Sequence, residues 1–164
     1  MRILTSPHLE CLHISNNKLE SIEGLDIFGH LKYLDMKKNN IGIINSIDEM
    51  KNLRYIDISE NKLTSLGGFT LFPVLETLIA NRNMIKSIAG LKSLAHLSYL
   101  DLRQNCIQNL DGLPSKLAPY VKTLYLDSNP IIDPVNLLFL RPFVNLEKLS
   151  ICETPMAKKI TKNK

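Results

Sequence analysis

The sequence predicts an α/β solenoid in which a curved parallel sheet lines the concave face and short 3₁₀ or irregular segments form the convex face. The first observation is the pattern Leu-x-x-Leu-x-Leu-x-x-Asn, which recurs along almost the whole chain. Self-similarity at such a period is typical of stacked structural units rather than of one globular core. The second is that each copy alternates polar and apolar residues and then changes to a longer apolar step. The copies start at Leu9, Leu31, Leu53, Leu75, Leu97, Val121 and Leu146, at spacings of 22, 22, 22, 22, 24 and 25 residues.

The third copy shows why each repeat should begin with a strand. Polar and apolar residues alternate from Tyr55 to Ser59, which is the period of a half-buried strand. We expect Ile56 and Ile58 to point inward, and Tyr55, Asp57 and Ser59 to point outward. Strands from successive copies would then stack in parallel at a spacing of about 4.8 Å.

The second half of each copy should form a tight return path. Apolar residues follow at three-residue steps, which suits a 3₁₀ or extended segment better than a full α-helix. In the third copy they are Leu63, Leu66, Phe69 and Phe72. Glycine precedes the third apolar residue in four copies and predicts a recurring sharp bend. These glycines are Gly24, Gly68, Gly90 and Gly112, and the second copy has Ser46 instead.

An asparagine recurs where each strand turns into its return segment. A side-chain amide buried there can hydrogen-bond backbone groups within and between turns, and leaving such groups unpaired is costly. We therefore predict a structural asparagine ladder rather than a binding site. Its members are Asn17, Asn39, Asn61, Asn83, Asn105 and Asn129.

The repeats lose their regularity towards the C-terminus. The fifth and sixth copies carry extra residues, and Thr154 replaces the asparagine in the seventh. We expect one domain of about seven repeats over residues 1–156 and a basic, disordered tail over residues 157–164. Because terminal repeats need a cap, the incomplete last copy suggests a segment of a longer repeat domain, or an end covered by a partner subunit.

Composition excludes several classes of protein. A net charge of +4 in 164 residues is mildly basic and argues against direct nucleic-acid binding. The longest clearly apolar run, 137–140, is far too short to span a membrane. Three cysteines without a Cys-x-x-Cys motif indicate a reducing, intracellular compartment.

No residues point to catalysis, to a metal or to a cofactor. The four histidines are scattered without metal-ligand spacing, and no phosphate-binding glycine loop is present. Residues expected at equivalent exposed positions of neighbouring strands form no clear Ser-His-Asp or Cys-His arrangement. His13 is interpreted as an exposed strand residue. The chain is therefore predicted not to be an enzyme.

The exposed strand positions carry the residues best suited to bind a protein partner. Tyrosine and arginine are the side chains most enriched at interface hot spots, and four of the five tyrosines map to these positions. The alternative interpretation is that the aspartates are merely solvated and that the tyrosines simply suit a strand surface. The predicted partner-binding residues are Tyr33, Asp35, Lys37, Arg54, Tyr55, Asp57, Ile79, Arg82, Tyr99, Asp101, Arg103 and Tyr125.

The repeat pattern, exemplified by Leu97-Ser98-Tyr99-Leu100-Asp101-Leu102-Arg103-Gln104-Asn105, resembles the 22-residue class of intracellular leucine-rich repeats. That class includes a regulatory subunit of type-one protein phosphatase, a spliceosomal subunit and an outer-arm dynein light chain. The resemblance covers about 9–151. It implies a monomeric protein-interaction module, a regulatory or scaffolding subunit in the cytoplasm, cilium, centrosome or nucleus. The alternatives are a ribonucleoprotein subunit and a substrate-recruiting segment of a larger enzyme.

Overall fold

The protein forms a single parallel sheet of short strands stacked in chain order. The computed structural model describes residues 6, 8–91, 94–113 and 119–162. Each strand pairs only with its sequence neighbours, so the sheet order follows the chain and the predicted α/β solenoid is confirmed. The strands are β1 (Cys11–His13), β2 (Tyr33–Asp35), β3 (Tyr55–Asp57), β4 (Thr77–Ile79), β5 (Tyr99–Asp101), β6 (Thr123–Tyr125) and β7 (Lys148–Ser150).

The strand register superimposes equivalent positions of successive repeats. Tyr55 lies opposite Tyr33 on one side and Thr77 on the other. Ile56 and Ile58 are fully buried, as the alternation predicts. Ser59 was expected to face solvent but is only 2% exposed, because its hydroxyl donates to Asp57 Oδ1 at 2.5 Å.

The return segments pack the convex side of the core. In the described residues, four of them contain 3₁₀ helices, at Leu25–Ile27, Gly67–Leu71, Ala89–Leu91 and Pro134–Leu140. Phe69 and Phe72 are fully buried, and their rings meet edge to face with centroids 5.7 Å apart. The three-residue apolar step therefore does correspond to a tight return path in these copies.

The recurring glycines serve two different physical needs. Gly24 has a φ of 84°, and Ser46 takes the same left-handed conformation in the second copy, with a φ of 58°. Gly68 and Gly90 do not have a positive φ; there the backbones of successive turns are in close contact. A Cβ at Gly68 would lie 2.0 Å from the Ile44 carbonyl oxygen. Close packing, not backbone freedom, requires glycine at that position.

The asparagines bridge successive turns through their side-chain amides. Asn61 Nδ2 donates to the carbonyl of Ile58 in its own turn at 3.1 Å and to that of Met36 in the preceding turn at 3.0 Å. Its Oδ1 accepts from the Ile41 amide at 3.0 Å. The same pattern recurs at Asn39, Asn83, Asn105 and Asn129.

The residue before each asparagine is in the left-handed region although none is glycine. Their φ angles lie between 52° and 58°. Such angles are unfavourable for most residue types, so hydrogen bonds of the surrounding backbone amides must hold these residues in place. For example, the Glu60 amide donates to the Asn81 carbonyl at 2.9 Å. These residues are Asn16, Lys38, Glu60, Arg82, Gln104 and Ser128, and Glu153 takes the same conformation before Thr154, which replaces the asparagine.

The ladder ends at Thr154, where an α-helix begins. Thr154 Oγ1 donates to the Ile151 carbonyl at 2.7 Å, much as an asparagine would, but it accepts from the Ala157 amide at 3.1 Å. Helix α1 (Pro155–Lys162) follows, with Met156 completely buried. Residues 157–162, predicted to be disordered, are therefore helical, because Thr154 caps the first turn and Met156 anchors it to the core.

Removal of this cap should loosen α1. We expect Thr154→Ala to cost about 1 kcal/mol and to accelerate amide hydrogen exchange across residues 158–162, measured by mass spectrometry. Thr161→Ala is the control, because within the described ranges its exposed hydroxyl donates only to carbonyls of the helix itself. Equal exchange in Thr154→Ala and wild type would show that the hydroxyl does not hold the helix.

Candidate functional site

The sheet register aligns the outward-facing side chains of the strands in columns. The parallel pairing brings each side chain into contact range of its equivalents in the neighbouring repeats. One column contains Cys11, Tyr33, Tyr55, Thr77, Tyr99, Thr123 and Lys148. The other contains His13, Asp35, Asp57, Ile79, Asp101, Tyr125 and Ser150. These two columns have the composition that the repeat spacing predicts.

The first aromatic cluster, His13, Tyr33 and Tyr55, lies on β1 to β3. The rings of Tyr33 and Tyr55 stack with centroids 4.2 Å apart and an interplanar angle of 7°. The His13 ring lies 5.1 Å from Tyr33. Burial, followed by the neighbouring Tyr33 hydroxyl and the negative charge of Asp57, raises the pKa of Tyr55 well above its usual value. Tyr55, like an ordinary tyrosine, is neutral at physiological pH, and its hydroxyl can donate or accept a hydrogen bond.

The second aromatic cluster, Tyr99, Arg103, Tyr125 and Lys148, lies on β5 to β7. Tyr99 and Tyr125 meet edge to face with centroids 5.7 Å apart. The Arg103 guanidinium carbon is 4.9 Å from the centre of the Tyr125 ring, and Lys148 Nζ is 5.2 Å from it. Both distances are within the range of cation–π attraction. Burial and the charge of Asp101 raise the pKa of Tyr99.

Asp101 lies beneath this second cluster instead of being exposed. Its side chain is only 1% exposed, so the prediction that Asp101 lies open on the binding face is wrong. The reason is a bidentate salt bridge, in which Arg103 Nε donates to Oδ1 at 2.9 Å and Nη2 donates to Oδ2 at 2.6 Å. Asn81 Nδ2 adds a bond to Oδ2 at 3.2 Å. Asp101 thus orients Arg103, and this hydrogen bonding raises the pKa of Arg103.

The other two aspartates of the column are half-buried and partly engaged locally. Asp35 Oδ1 accepts from the Lys37 amide at 3.1 Å, and Asp57 Oδ1 accepts from the Ser59 amide at 2.9 Å. Each carboxylate therefore stabilises the turn that follows its own strand. This local role gives Asp35 and Asp57 a structural function at their shared repeat position.

A charged rim follows the C-terminal ends of the central strands. Glu60 Oε1 lies 3.3 Å from Lys37 Nζ and 3.7 Å from Arg82, and Arg82 Nε donates to Gln104 Oε1 at 2.6 Å. Such exposed pairs add little to stability, so their side chains can exchange partners at low cost. The rim borders a shallow cavity of about 330 Å³ lined by Lys37, Glu60, Asn81, Arg82, Arg103, Gln104, Asp127 and Ser128.

Arg54 lies at the N-terminal ends of the strands, whereas the charged rim lies at their C-terminal ends. It immediately precedes β3, whereas Lys37 and Arg82 follow their strands. Arg54 forms an ion pair with Glu76 in the next repeat. The structure therefore does not place Arg54 with the other predicted cationic residues.

One group of side chains was missed at the sequence level. Cys11 Sγ lies 3.3 Å from His13 Nε2, and His13 Nδ1 lies 3.5 Å from Asp35 Oδ2. The sequence analysis predicted that no Cys-His arrangement would form, and these distances show that this prediction was wrong. The signal was present in the register, because Cys11 and His13 share one strand face and Asp35 follows His13 in its column.

Metal-binding clusters and membrane-spanning helices are both absent from the described part of the chain. Across residues 6, 8–91, 94–113 and 119–162, no group of three or more histidine, cysteine or acidic side chains could hold a metal ion. No helix within these ranges has the length and hydrophobicity needed to cross a bilayer.

Comparison with known families agrees with the repeat architecture. Residues 7–63 match a family model described as leucine rich repeat, and residues 73–115 match a second described as leucine rich repeats (2 copies). The chain belongs to the leucine-rich repeat family. The 22-residue spacing of its regular copies is compatible with the class that its sequence resembles. Leucine-rich repeat domains generally mediate protein–protein interaction and are typically non-enzymatic.

Solved structures support the same fold. A leucine-rich repeat protein of Leptospira interrogans is similar over 90% of the chain, with a TM-score of 0.78 and 27% identity. The chain spans only 38% of the length of that structure. Internalin C2 of Listeria monocytogenes is similar over 88% of the chain and 72% of its own length, with a TM-score of 0.59 and 22% identity, which supports the fold alone. The search of curated proteins gave no match.

Proposed function

We propose that this leucine-rich repeat domain binds a protein partner on its concave face and acts as a regulatory or scaffolding subunit. The observation that carries the proposal is the pair of aromatic clusters on one face of the sheet. The Tyr33–Tyr55 stack and the Tyr99–Tyr125 pair are separated by Thr77 and β4. Three strand intervals from Tyr33 to Tyr99 correspond to roughly 14 Å at the usual strand spacing.

The tyrosines are suited to binding because their conformations are already restricted. Each ring is held by a neighbouring ring, so little side-chain entropy is lost when a partner arrives. A tyrosine also offers apolar area together with a hydroxyl, a combination that is common at interface hot spots. Arg103 is similarly held by Asp101, so its remaining contacts can be made without further ordering.

The partner proposed for this face is a protein of mixed charge, such as a helix or a domain held in the curve. Charged side chains of both signs surround the tyrosines, and complementary charges would set the orientation of the partner. We propose direct contacts for Tyr33, Asp35, Lys37, Tyr55, Asp57, Ile79, Arg82, Tyr99, Arg103 and Tyr125. Asp101 would act through Arg103, and Arg54 would reach only a partner that extends over the N-terminal ends of the strands.

The setting proposed for this function is intracellular, with the domain monomeric and free of cofactors. The three cysteines are free and exposed, which fits a reducing compartment. The resemblance of the repeats to the 22-residue class supports a cytoplasmic, ciliary, centrosomal or nuclear role.

Loss of one tyrosine from each cluster should weaken partner binding strongly. We expect Tyr55→Ala/Tyr99→Ala to cost about 2 kcal/mol or more in binding, or roughly 30-fold in affinity. The measurement is an affinity pull-down from lysate of the source cell, run with and without nuclease, with captured proteins quantified by mass spectrometry. Tyr120→Ala is a matched control, since Tyr120 is exposed but is absent from both strand columns. All baits must first show equal circular dichroism and melting temperature.

The outcomes of the pull-down separate the proposal from its alternatives. Proteins captured by wild type and Tyr120→Ala but lost with the double variant would support the concave face. Equal capture by all three baits would move the binding site elsewhere. Capture that disappears with nuclease and weakens steeply with salt would instead favour a ribonucleoprotein role, in which the lysines of α1 could contribute.

A further inference from the structure

We infer that Cys11 is an activated thiol, and that the Cys11–His13–Asp35 group is a site of covalent modification by low-molecular-weight disulfides. This inference is independent of the proposed partner, because both the reaction and its test need only the isolated protein. The group lies at the β1 end of the sheet, beside Tyr33.

The geometry suits transfer of a proton from the thiol to the imidazole. Asp35 Oδ2, at 3.5 Å from His13 Nδ1, favours the tautomer in which Nδ1 carries the proton. His13 Nε2 is then the acceptor, and Cys11 Sγ lies 3.3 Å from it. The carboxylate would also stabilise the imidazolium that proton transfer creates. This is the arrangement that activates a thiol nucleophile.

The polar and charged side chains near the Cys11 thiol lie on β1 and β2 or immediately before them. His13 lies on the same strand, and Tyr33 and Asp35 face it from β2. Glu10 and Lys32 precede these two strands and pair with each other at 2.7 Å. Cys11 is exposed and the His13 side chain is 61% exposed, so a small reagent can reach the sulfur.

The reaction is a thiol–disulfide exchange. The Sγ proton moves to His13 Nε2, and the thiolate attacks one sulfur of the disulfide. A new S–S bond forms to Cys11 while the S–S bond of the reagent breaks. The departing thiolate takes the proton from the imidazolium and leaves as a thiol. One protein thiol is oxidised and one half of the reagent is reduced, so the exchange needs no other oxidant.

The chain provides two internal references for this reaction. Cys106 and Cys152 are also free and exposed. Cys152 Sγ contacts the Ser150 hydroxyl at 3.6 Å, and in the described part of the chain neither thiol has a hydrogen bond to an imidazole. Exposure alone would make the three rates similar, whereas activation would separate Cys11 from the other two.

The test measures the rate of mixed-disulfide formation at each cysteine with 2-hydroxyethyl disulfide, which is uncharged. Samples are quenched with acid and mapped by mass spectrometry. At pH 7 we expect Cys11 to react about tenfold faster than Cys106 and Cys152. His13→Gln should reduce the Cys11 rate to theirs. Asp35→Asn should reduce the Cys11 rate in part. The asparagine side-chain oxygen can still accept the hydrogen bond from the Lys37 backbone amide, so the turn after β2 should be retained.

Three results would contradict the activation of Cys11 or the role of one residue in the Cys11–His13–Asp35 group. Equal rates at all three cysteines, or a Cys11 rate unchanged in His13→Gln, would show that the thiol is not activated by the imidazole. A Cys11 rate unchanged in Asp35→Asn would remove the carboxylate from the group. Because the rates at Cys106 and Cys152 are measured in each variant, a global change in folding would be seen as a change at those residues too.

Discussion

Gly68→Ala is expected to destabilise the protein by about 3 kcal/mol or more, at the upper end of the usual effect of overpacking. The added Cβ would lie 2.0 Å from the Ile44 carbonyl oxygen and 2.5 Å from its Cβ. The closest of these atoms belongs to the backbone, so no side-chain rotation can relieve the contact. Two successive turns of the solenoid would have to separate, and the core beneath them would lose contacts.

The neighbouring Gly67 provides the control for this substitution. A Cβ at Gly67 would meet only Ser65 Oγ, at an ordinary distance of 3.5 Å. We therefore expect Gly67→Ala to be neutral or slightly stabilising, since alanine restricts the unfolded chain. Thermal unfolding followed by circular dichroism should show a melting temperature lower by roughly 6–12 °C for Gly68→Ala only. Equal melting of the two variants would show that the turns are not in tight contact at Gly68.

The second large effect is expected from Asn61→Ala, at about 2–3 kcal/mol. The substitution removes three donor contacts of the amide nitrogen, to Met36, Ile58 and Ser59, and the acceptor of the Ile41 amide. These backbone groups lie between two turns, where water cannot easily replace the lost side chain. The same loss would also release Glu60, which is held in the left-handed conformation immediately before the asparagine.

Asn17→Ala is the matched control for the ladder. Asn17 is exposed, and among the described residues it donates only to the Ile14 and Ser15 carbonyls of its own turn. We expect it to cost less than about 1 kcal/mol. Both variants are compared with wild type by thermal melting, because melting does not depend on any partner. A melting temperature for Asn61→Ala equal to that of wild type would contradict the structural role of the ladder.

The repeat period made most of the sheet predictable from the sequence. A spacing of 22 residues brings Tyr33 and Tyr55 to equivalent positions, and alternation around Ile56 decides which side chains face the core. Register and orientation follow from these two facts because parallel strands of equal repeats align without further information. The composition of the two outer columns could therefore be predicted before their ring geometry was known.

The features that the sequence did not predict depend on contacts between repeats or on a local capping choice. Asp101 is buried because Arg103, two residues later, folds back onto it, whereas Asp57 has Ser59 at that position and remains partly exposed. Gly68 looks like a bend residue until the position of Ile44 is known. The helical tail follows from Thr154, whose hydroxyl can cap a helix in a way that the preceding asparagines do not.

The left-handed residues show a further limit of sequence patterns. Asn16 is of a type that tolerates positive φ, but Lys38, Arg82 and Gln104 carry no such signal. Their conformation is imposed by the ladder next to them. These turns place Glu60, Arg82 and Gln104 after the strand ends, so the position of three residues of the charged rim follows from a structural turn.

The most direct test of the concave face as the binding site is site-specific photo-crosslinking in the source cell. A photoreactive amino acid would replace Thr77, which lies between the two aromatic clusters, and in a separate variant Gln108, which is exposed on a return segment. The predicted result is a covalent adduct with one protein from position 77, which is absent from position 108 and is lost when Tyr55→Ala/Tyr99→Ala is added. An adduct from position 108 alone, or one from position 77 that persists in the tyrosine variant, would contradict partner binding through the tyrosine clusters.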